Sequence, residues 1–339
     1  MSLVDQYDTA LFDLDGVVYL GPEAVPAAPA ALAALRARGT RVGFVTNNAS
    51  RHPEVVAEHL RELGIEAEAG DVVSSAQAMA HLLAETLPPD SPVLVLGAPY
   101  LRDELVARAR IRPVDRVTDH PVAVVQGLSP EMTWADLCEA TAAIHAGATW
   151  YATNTDSTRP TDRGNLPGCG AAVGAIAVAV PVDPIVAGKP FPPLMRETLE
   201  RLGGQRPLFV GDRVDTDIAG AHAVGIDSML VLSGAHGPDD LWGCDAQHRP
   251  THLGLDVADL LEPARTVEID GDRARCGDQV LTRDADGYRW QGSVTDAASW
   301  CDAVWALCRL HWQVVDRGDR APDPATAAIP ARPVPQEVL

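Results

Sequence analysis

Two aspartates stand one residue apart in Asp13-Leu14-Asp15-Gly16, where the apolar segment Tyr7–Asp13 (YDTALFD) ends. If that segment is a strand, alternation puts both carboxylates on one side of its carboxyl end, where open α/β sheets hold ligands. Carboxylates this close repel one another and are tolerated when a divalent cation bridges them or one keeps a proton. Alone the pair is a weak signal, because acidic turns are common. A second apolar segment, Arg41–Val45, runs into Thr46-Asn47-Asn48, a hydroxyl and two amides able to hold phosphate oxygens or to close a turn. Lys189 follows a third, in Ala187-Gly188-Lys189-Pro190, where Gly188 permits close backbone approach. A fourth, Pro207–Val210, runs into Gly211-Asp212-Arg213-Val214-Asp215-Thr216-Asp217. Asp212 is a candidate oxygen ligand for a hard cation, with Asp217 in support, while Asp215 and Asp217 could equally cap the following helix.

Of 27 basic residues, Lys189 alone is lysine. An ammonium is a compact point charge on a flexible stem and a guanidinium a broad planar fork, so a site with room only for the first would show this pattern. The wider charge balance sharpens the point. The formal net charge is −20, which opposes nucleic acid and anionic membrane, so neither is an expected partner. A phosphate-bearing substrate must therefore be met by a local cation. Six cysteines at irregular spacing, without Cys-x-x-Cys, argue against a zinc site or disulfide framework.

The elements that must position these residues alternate strand and helix. Helices are expected over 27–38, 53–63, 192–202 and 216–224, and strands over 7–13, 41–45, 184–187, 207–210 and 228–232. This order implies a parallel sheet covered on both faces. Between the two stretches lies a further α/β block: helices over 76–85, 100–108, 134–145 and 170–179, and strands over 93–96, 122–126 and 149–152. Beyond residue 263 the pattern changes to three short strands (267–269, 279–282, 288–291) and an amphipathic helix over 298–314. The Pro- and Ala-rich stretch 318–339 reads as a disordered tail. With 46% hydrophobic residues in 339, the chain has ample material for a core of two or three domains. The longest apolar run, Cys169–Val182, is 14 residues long and contains Pro181, against about 20 needed to span a bilayer. No basic-then-apolar leader opens the chain, and a soluble, cytoplasmic protein is expected.

Taken jointly and in this order, Asp-x-Asp-Gly, Thr, Lys and Gly-Asp-x-x-x-x-Asp resemble the haloacid dehalogenase superfamily of phosphatases. DLDGVVYLG (Asp13–Gly21) and VTNNASR (Val45–Arg51) narrow the resemblance to the subgroup with a large α/β (type C2a) cap, the p-nitrophenylphosphatase and phosphoglycolate phosphatase type. The loop Thr153–Gly170 is similar to that subgroup's cap loop. The extra C-terminal piece brings the chain nearest to actinobacterial glycerol 3-phosphate phosphatases. The resemblance covers residues 5–262. It implies a Rossmann-like core (1–78 and 183–262), an inserted cap (79–182) and a small α+β appendage (263–317) before the tail.

It also implies roles. Asp13 would be the nucleophile and Asp15 the general acid/base, with Thr46 and Lys189 holding the phosphoryl group. Mg²⁺ would sit among Asp13, the Asp15 carbonyl and Asp212, with Gly16, Asn47, Asn48 and Asp217 in support. Asn154, Asp156, Arg159 and Gly168 would meet the rest of the substrate, near Gln126 and Leu128. Glycerol 3-phosphate is the expected substrate; phosphoglycolate, pyridoxal phosphate and nucleotide monophosphates are alternatives. Asp15 favours a phosphatase over a dehalogenase, because an alkoxide needs a proton and a halide does not. The resemblance further implies a homodimer through the cap. A non-catalytic binding module on the same fold is the reading of another class; the complete set of Asp13, Asp15, Thr46, Lys189 and Asp212 speaks against it.

Overall fold

The computed structural model describes residues 1–333 apart from Pro160 and Asp162. Its largest sheet is six-stranded, in the order His252–Gly254, Asp227–Val231, Pro207–Gly211, Thr9–Phe12, Arg41–Thr46, Val72–Ser74. Every pairing is parallel. Thr9–Phe12 is buried at all four residues, as a strand covered on both faces requires. Ala10 and Phe12 pack with Leu32, Leu35 and Leu60 on one side. Leu11 packs with Met79, Leu194 and Phe209 on the other. The helices on these faces begin as their sequences dictate. Pro53 and Pro192 occupy first turns, and Ser74 with Gln77 closes a capping box at the start of Ser75–Thr86.

From Thr9–Phe12 the chain first builds outward through Arg41–Thr46 to Val72–Ser74. It later resumes on the opposite side with Pro207–Gly211. The sheet therefore reverses direction between Thr9–Phe12 and Pro207–Gly211, and a crevice opens outside their carboxyl ends. Asp13 and Asp212 are the residues that follow those two strands.

A second parallel sheet is five-stranded, in the order Ile185–Val186, Thr149–Ala152, Ala123–Gln126, Pro92–Leu96, Arg112–Val114. One expectation is corrected here. The strand before Lys189 was assigned with the core segment 183–262, yet Ile185–Val186 pairs with Tyr151 and Ala152 of the inserted block. Ala187 N–H continues that ladder to the Ala152 carbonyl at 3.0 Å. Two apolar residues carry no mark of which sheet they will join. The strands Val72–Ser74, Arg112–Val114 and His252–Gly254 were not anticipated; three residues are too few for a period to show.

The C-terminal part is an antiparallel meander, Val267–Asp270, Arg273–Cys276, Gln279–Asp284 and Gly287–Gln291, covered by the helix Ala297–Asp316. It has four strands rather than the three expected. Arg273–Cys276 alternates exposed Arg with buried Ala and Cys, too few apolar residues to stand out. Part of the stretch expected as a disordered tail lies against the appendage, although most of its described residues are exposed. Pro324–Ala327 forms a 3₁₀ turn, Ala327 is buried and the Trp300 Nε1–H donates to the Pro330 carbonyl at 3.1 Å. Its small apolar residues fill space against Trp300, a role that composition does not reveal. Residues 334–339 of that expectation lie outside the described residues.

The appendage shares one apolar cluster with Leu230 and Leu253 of the main sheet. At its centre Trp305 is fully buried, edge-on to Trp312 with ring centroids 5.6 Å apart. Trp305→Ala should therefore lower the unfolding free energy by about 3–5 kcal/mol in guanidinium titration. A loss below about 1 kcal/mol, the range of surface substitutions, would contradict this packing.

Candidate active site

Lys189 is 2% exposed, and its ammonium meets three acceptors. Asp13 Oδ1 and Asp217 Oδ1 each lie at 2.7 Å and the Val45 carbonyl at 3.5 Å. Three N–H groups thus find three oxygens, one from each of three separate chain segments, an arrangement that a planar guanidinium does not match. The Phe209 ring lies 5.2 Å from the ammonium. Burial opposes the charge, but Asp13 and Asp217 outweigh it and raise the lysine pKa above its ordinary value.

Carboxylate oxygens of Asp13, Asp212 and Asp217 lie within 4.8 Å of one another. Asp217 Oδ2 accepts the backbone N–H groups of Asp212 and Arg213, both at 3.1 Å. It thereby fixes the loop as well as the lysine, and it is not a simple helix cap. Asp212 Oδ2 accepts the Ala235 N–H at 2.7 Å, whereas Oδ1 is buried with no hydrogen-bond partner among the described residues. Burial raises the Asp13 carboxyl well above the usual carboxylate range; Lys189 pulls it down, and Asp217 and Asp212 push it further up. Burial, then the charge of Asp217, pushes Asp212 up to about 7. Three carboxylates against one ammonium leave a formal charge of minus two. An orphaned buried oxygen facing that excess is the donor set of a hard divalent cation. The residues present fit such an ion, to which Asp13 and Asp212 could each offer a side-chain oxygen.

Asp15 is solvent-accessible by area yet sits in a crowded recess. That crowding raises its carboxyl pKa against the opposing pull of Arg51, Lys189 and His59. Gly16 takes φ +87°, and a Cβ there would collide with the Asp212 carboxylate. Thr46 is buried and its hydroxyl accepts the Asn48 N–H at 3.1 Å. The Asn48 side chain turns away: Oδ1 accepts from the Ser50 N–H at 2.7 Å and from its hydroxyl at 2.8 Å, which closes a turn. Asp215 pairs with the Arg213 guanidinium outside the cluster.

The cap-loop residues divide. Asn154 Nδ2 donates to the Asn47 carbonyl at 2.7 Å, and Asp156 accepts from Asn47 Nδ2 at 3.2 Å on both oxygens. Gly168 lies against the Asp156 carbonyl, so that a Cβ would collide with it. Gln126 is fully buried and its side chain accepts from Trp150 Nε1–H at 3.2 Å. Arg159 makes no polar contact with Asp13, Asp15, Lys189 or Asp212 among the described residues, and its Nε is buried without a partner among them. Pro160 and Asp162 of the loop lie outside the described residues.

One side of the site was missed. The loop after Asp227–Val231 supplies the Ala235 N–H to Asp212, and Ser233 Oγ–H donates to the Gly16 carbonyl at 2.8 Å. His236 Nδ1 accepts the Val214 N–H at 3.0 Å. Ser233-Gly234-Ala235-His236 follows a strand as the other motifs do, and the carboxyl-end rule applied to that strand would have singled it out.

The comparisons agree with this architecture. Residues 10–108 match the haloacid dehalogenase-like hydrolase model, and residues 186–260 match a second HAD-hydrolase-like model. The chain is 46% identical over 268 residues to the D-glycerol 3-phosphate phosphatase of Mycobacterium tuberculosis, covering 79% of this chain and 75% of that one. It is 37% identical over 238 residues to the acid sugar phosphatase of Staphylococcus aureus, covering 70% and 90%. A crystal structure of a glycerol phosphate phosphatase from Mycobacterium tuberculosis in complex with magnesium superposes with a TM-score of 0.84 at 40% identity, over 95% and 94% of the chains. The p-nitrophenyl phosphatase of Archaeoglobus fulgidus superposes with a TM-score of 0.68 at 28% identity, over 76% and 98%. The chain belongs to the haloacid dehalogenase-like hydrolases.

Asp217 is 1% exposed and serves one ammonium and two backbone donors. Asp217→Ala should cost about 3–5 kcal/mol of stability, as when one member of a buried pair is removed. Denaturant titration checks this, and a near-neutral result would mean that the loop is held by other contacts.

Proposed function

We propose that this site hydrolyses the phosphate ester of a small polyol, glycerol 3-phosphate first among candidates, through a phosphorylated Asp13. The observation that carries the reading is the Lys189 ammonium 2.7 Å from Asp13, beside the unpartnered Asp212 oxygen. Together they gather positive charge for an anion inside a chain of charge −20. Mg²⁺ bound by Asp13, the Asp15 carbonyl and Asp212 would supply Lewis-acid polarisation of the phosphoryl group.

The chain's own residues supply the rest. Lys189 holds Asp13 Oδ1, and an oxygen of this carboxylate attacks phosphorus. It forms the O–P bond as the ester P–O bond breaks, and the Asp15 carboxyl passes its proton to the departing alkoxide. Asp15, now a carboxylate, takes a proton from the water that attacks phosphorus, which releases phosphate and restores Asp13. Thr46 and Lys189 hold the transferring group, with Gly16, Asn47, Asn48 and Asp217 in support. On this reading residues 1–78 and 183–262 form the core, apart from Ile185–Val186, which joins the sheet of the cap; 79–182 form the substrate-selecting cap and 263–317 an appendage. Arg159, whose Nε–H has no partner among the described residues, is the candidate donor to a second polar group of the substrate.

A cytoplasmic setting is supported by six unpaired cysteines. No helix of the described residues is long and apolar enough to cross a membrane. A homodimer through the cap is supported by exposed Val178, Val182 and Ile185 beside the open edge strand Ile185–Val186.

Asp13→Asn should abolish Mg²⁺-dependent phosphate release with the far-UV spectrum unchanged; wild-type-like turnover would overturn the reading. Asp15→Asn should lower turnover of glycerol 3-phosphate roughly 10²–10⁴-fold, the usual worth of a general acid or base. The formation of phospho-Asp13 from p-nitrophenyl phosphate should suffer far less, since p-nitrophenolate leaves without a proton. Burial raises the Asp15 pKa, so the acid form persists to higher pH than for a free aspartate. Leaving-group protonation should then decline as pH rises through that value, which single-turnover rates with the alkyl ester would record.

A further inference from the structure

Lys189 is carried by a strand of one sheet and acts at the edge of the other. Lys189 lies three residues beyond Ile185–Val186 of the inserted block, whereas Asp13 and Asp217 lie in segments that follow strands of the main sheet. One side chain bridges the two. The Asn47 amide accepts the Lys189 N–H on Oδ1 at 2.8 Å and donates from Nδ2 to the Lys189 carbonyl at 3.1 Å. It pairs with both backbone groups of that residue, as a neighbouring strand would. The second Nδ2 proton points to Asp156 of the cap loop.

That last contact reinforces the orientation of the amide that the Lys189 N–H and carbonyl already select. A carboxylate only accepts hydrogen bonds, so it selects the orientation with Nδ2 towards it. The flipped amide would set Oδ1 against the Asp156 carboxylate and N–H against the Lys189 N–H. Asn154 and Ser75 add further ties, donating to the Asn47 carbonyl at 2.7 and 2.5 Å. Gly188 leaves no room for a Cβ, which would come within 2.6 Å of the Thr153 carbonyl and 2.7 Å of Asn47 Oδ1.

We propose that Asn47 is a positioning residue for Lys189 and that Asp156 holds Asn47 in place, so that the cap loop helps to place the phosphate-binding ammonium. Asp156 then acts through Asn47 rather than on the substrate. The proposal deepens the reading of the site given above, and its structural half can be tested without turnover.

The composition supplies the probe. Lys189 is the chain's one lysine, so the full-length protein labelled with ¹⁵N-lysine gives a single lysine amide resonance. Asp156→Ala should shift that resonance and speed its hydrogen exchange, although Asp156 does not touch the Lys189 N–H. Asn47→Ala should do the same, and Asn47→Ala/Asp156→Ala should add little further change, as expected of residues acting in one chain. Asp156→Asn keeps an acceptor oxygen and should restore the native position. A resonance unmoved by Asp156→Ala in a variant of native melting temperature would overturn the proposal.

In turnover, Asp156→Ala should lower kcat roughly 10²-fold, the scale of an ångström-sized misplacement. KM should change little, alike for glycerol 3-phosphate and p-nitrophenyl phosphate, with recovery in Asp156→Asn. A rise in KM confined to glycerol 3-phosphate would mark Asp156 as a substrate ligand and sink the proposal. An inactive parent chain would instead count against the phosphatase reading and leave the resonance test standing.

Discussion

The contact on which the site depends is the buried ion pair between the Lys189 ammonium and the carboxylates of Asp13 and Asp217. Carboxylates within 4.8 Å of one another repel by roughly 3–4 kcal/mol per pair at an effective dielectric of about 20. Three such pairs approach the whole net stability of an ordinary domain, about 5–15 kcal/mol. The cluster can exist only if cations or protons answer it. Lysine answers from one side with three donors and three acceptors. The unpartnered oxygen of Asp212 marks the other side, where a divalent ion would complete neutrality. With the cluster so neutralised, the ammonium and the ion would meet a dianionic phosphate that the net charge of −20 otherwise opposes.

Topology makes that meeting possible. The main sheet reverses its building direction between Thr9–Phe12 and Pro207–Gly211, so residues about 200 positions apart in the chain leave adjacent strand ends together. Arg41–Thr46 adds Thr46 and Asn47 from the neighbouring strand. The lysine arrives from the second sheet, and its place at the joint couples the two layers. The hydrogen bonds of Asn47 at this joint add to an apolar cluster that joins Leu11 and Phe209 of the main sheet with Val125 and Tyr151 of the second.

Much of this was legible in the sequence, because short apolar segments ending in Asp, Thr, Lys and Asp have few other uses in such an order. The one lysine among arginines pointed to the most constrained position in the molecule. What stayed hidden has physical reasons. Val72–Ser74 and Arg112–Val114 are too short to show a period, and Ile185–Val186 shows no sign of its sheet. Asn48 looks like a phosphate ligand in sequence, but its own turn uses its oxygen. The Ala235 contribution is a backbone N–H, which no side-chain motif advertises. Asp156 reads as a substrate ligand until its partner Asn47, 109 residues earlier, is seen.

The most direct measurement is a crystal of the full chain soaked in Mn²⁺ as an anomalous stand-in for Mg²⁺. The account predicts one strong peak within about 2.3 Å of carboxylate oxygens from both Asp13 and Asp212, with Lys189 still on Asp13. A second grouping, His81, Glu197 and Glu200, offers the only other such set among the described residues. A peak there and none between Asp13 and Asp212 would contradict the account.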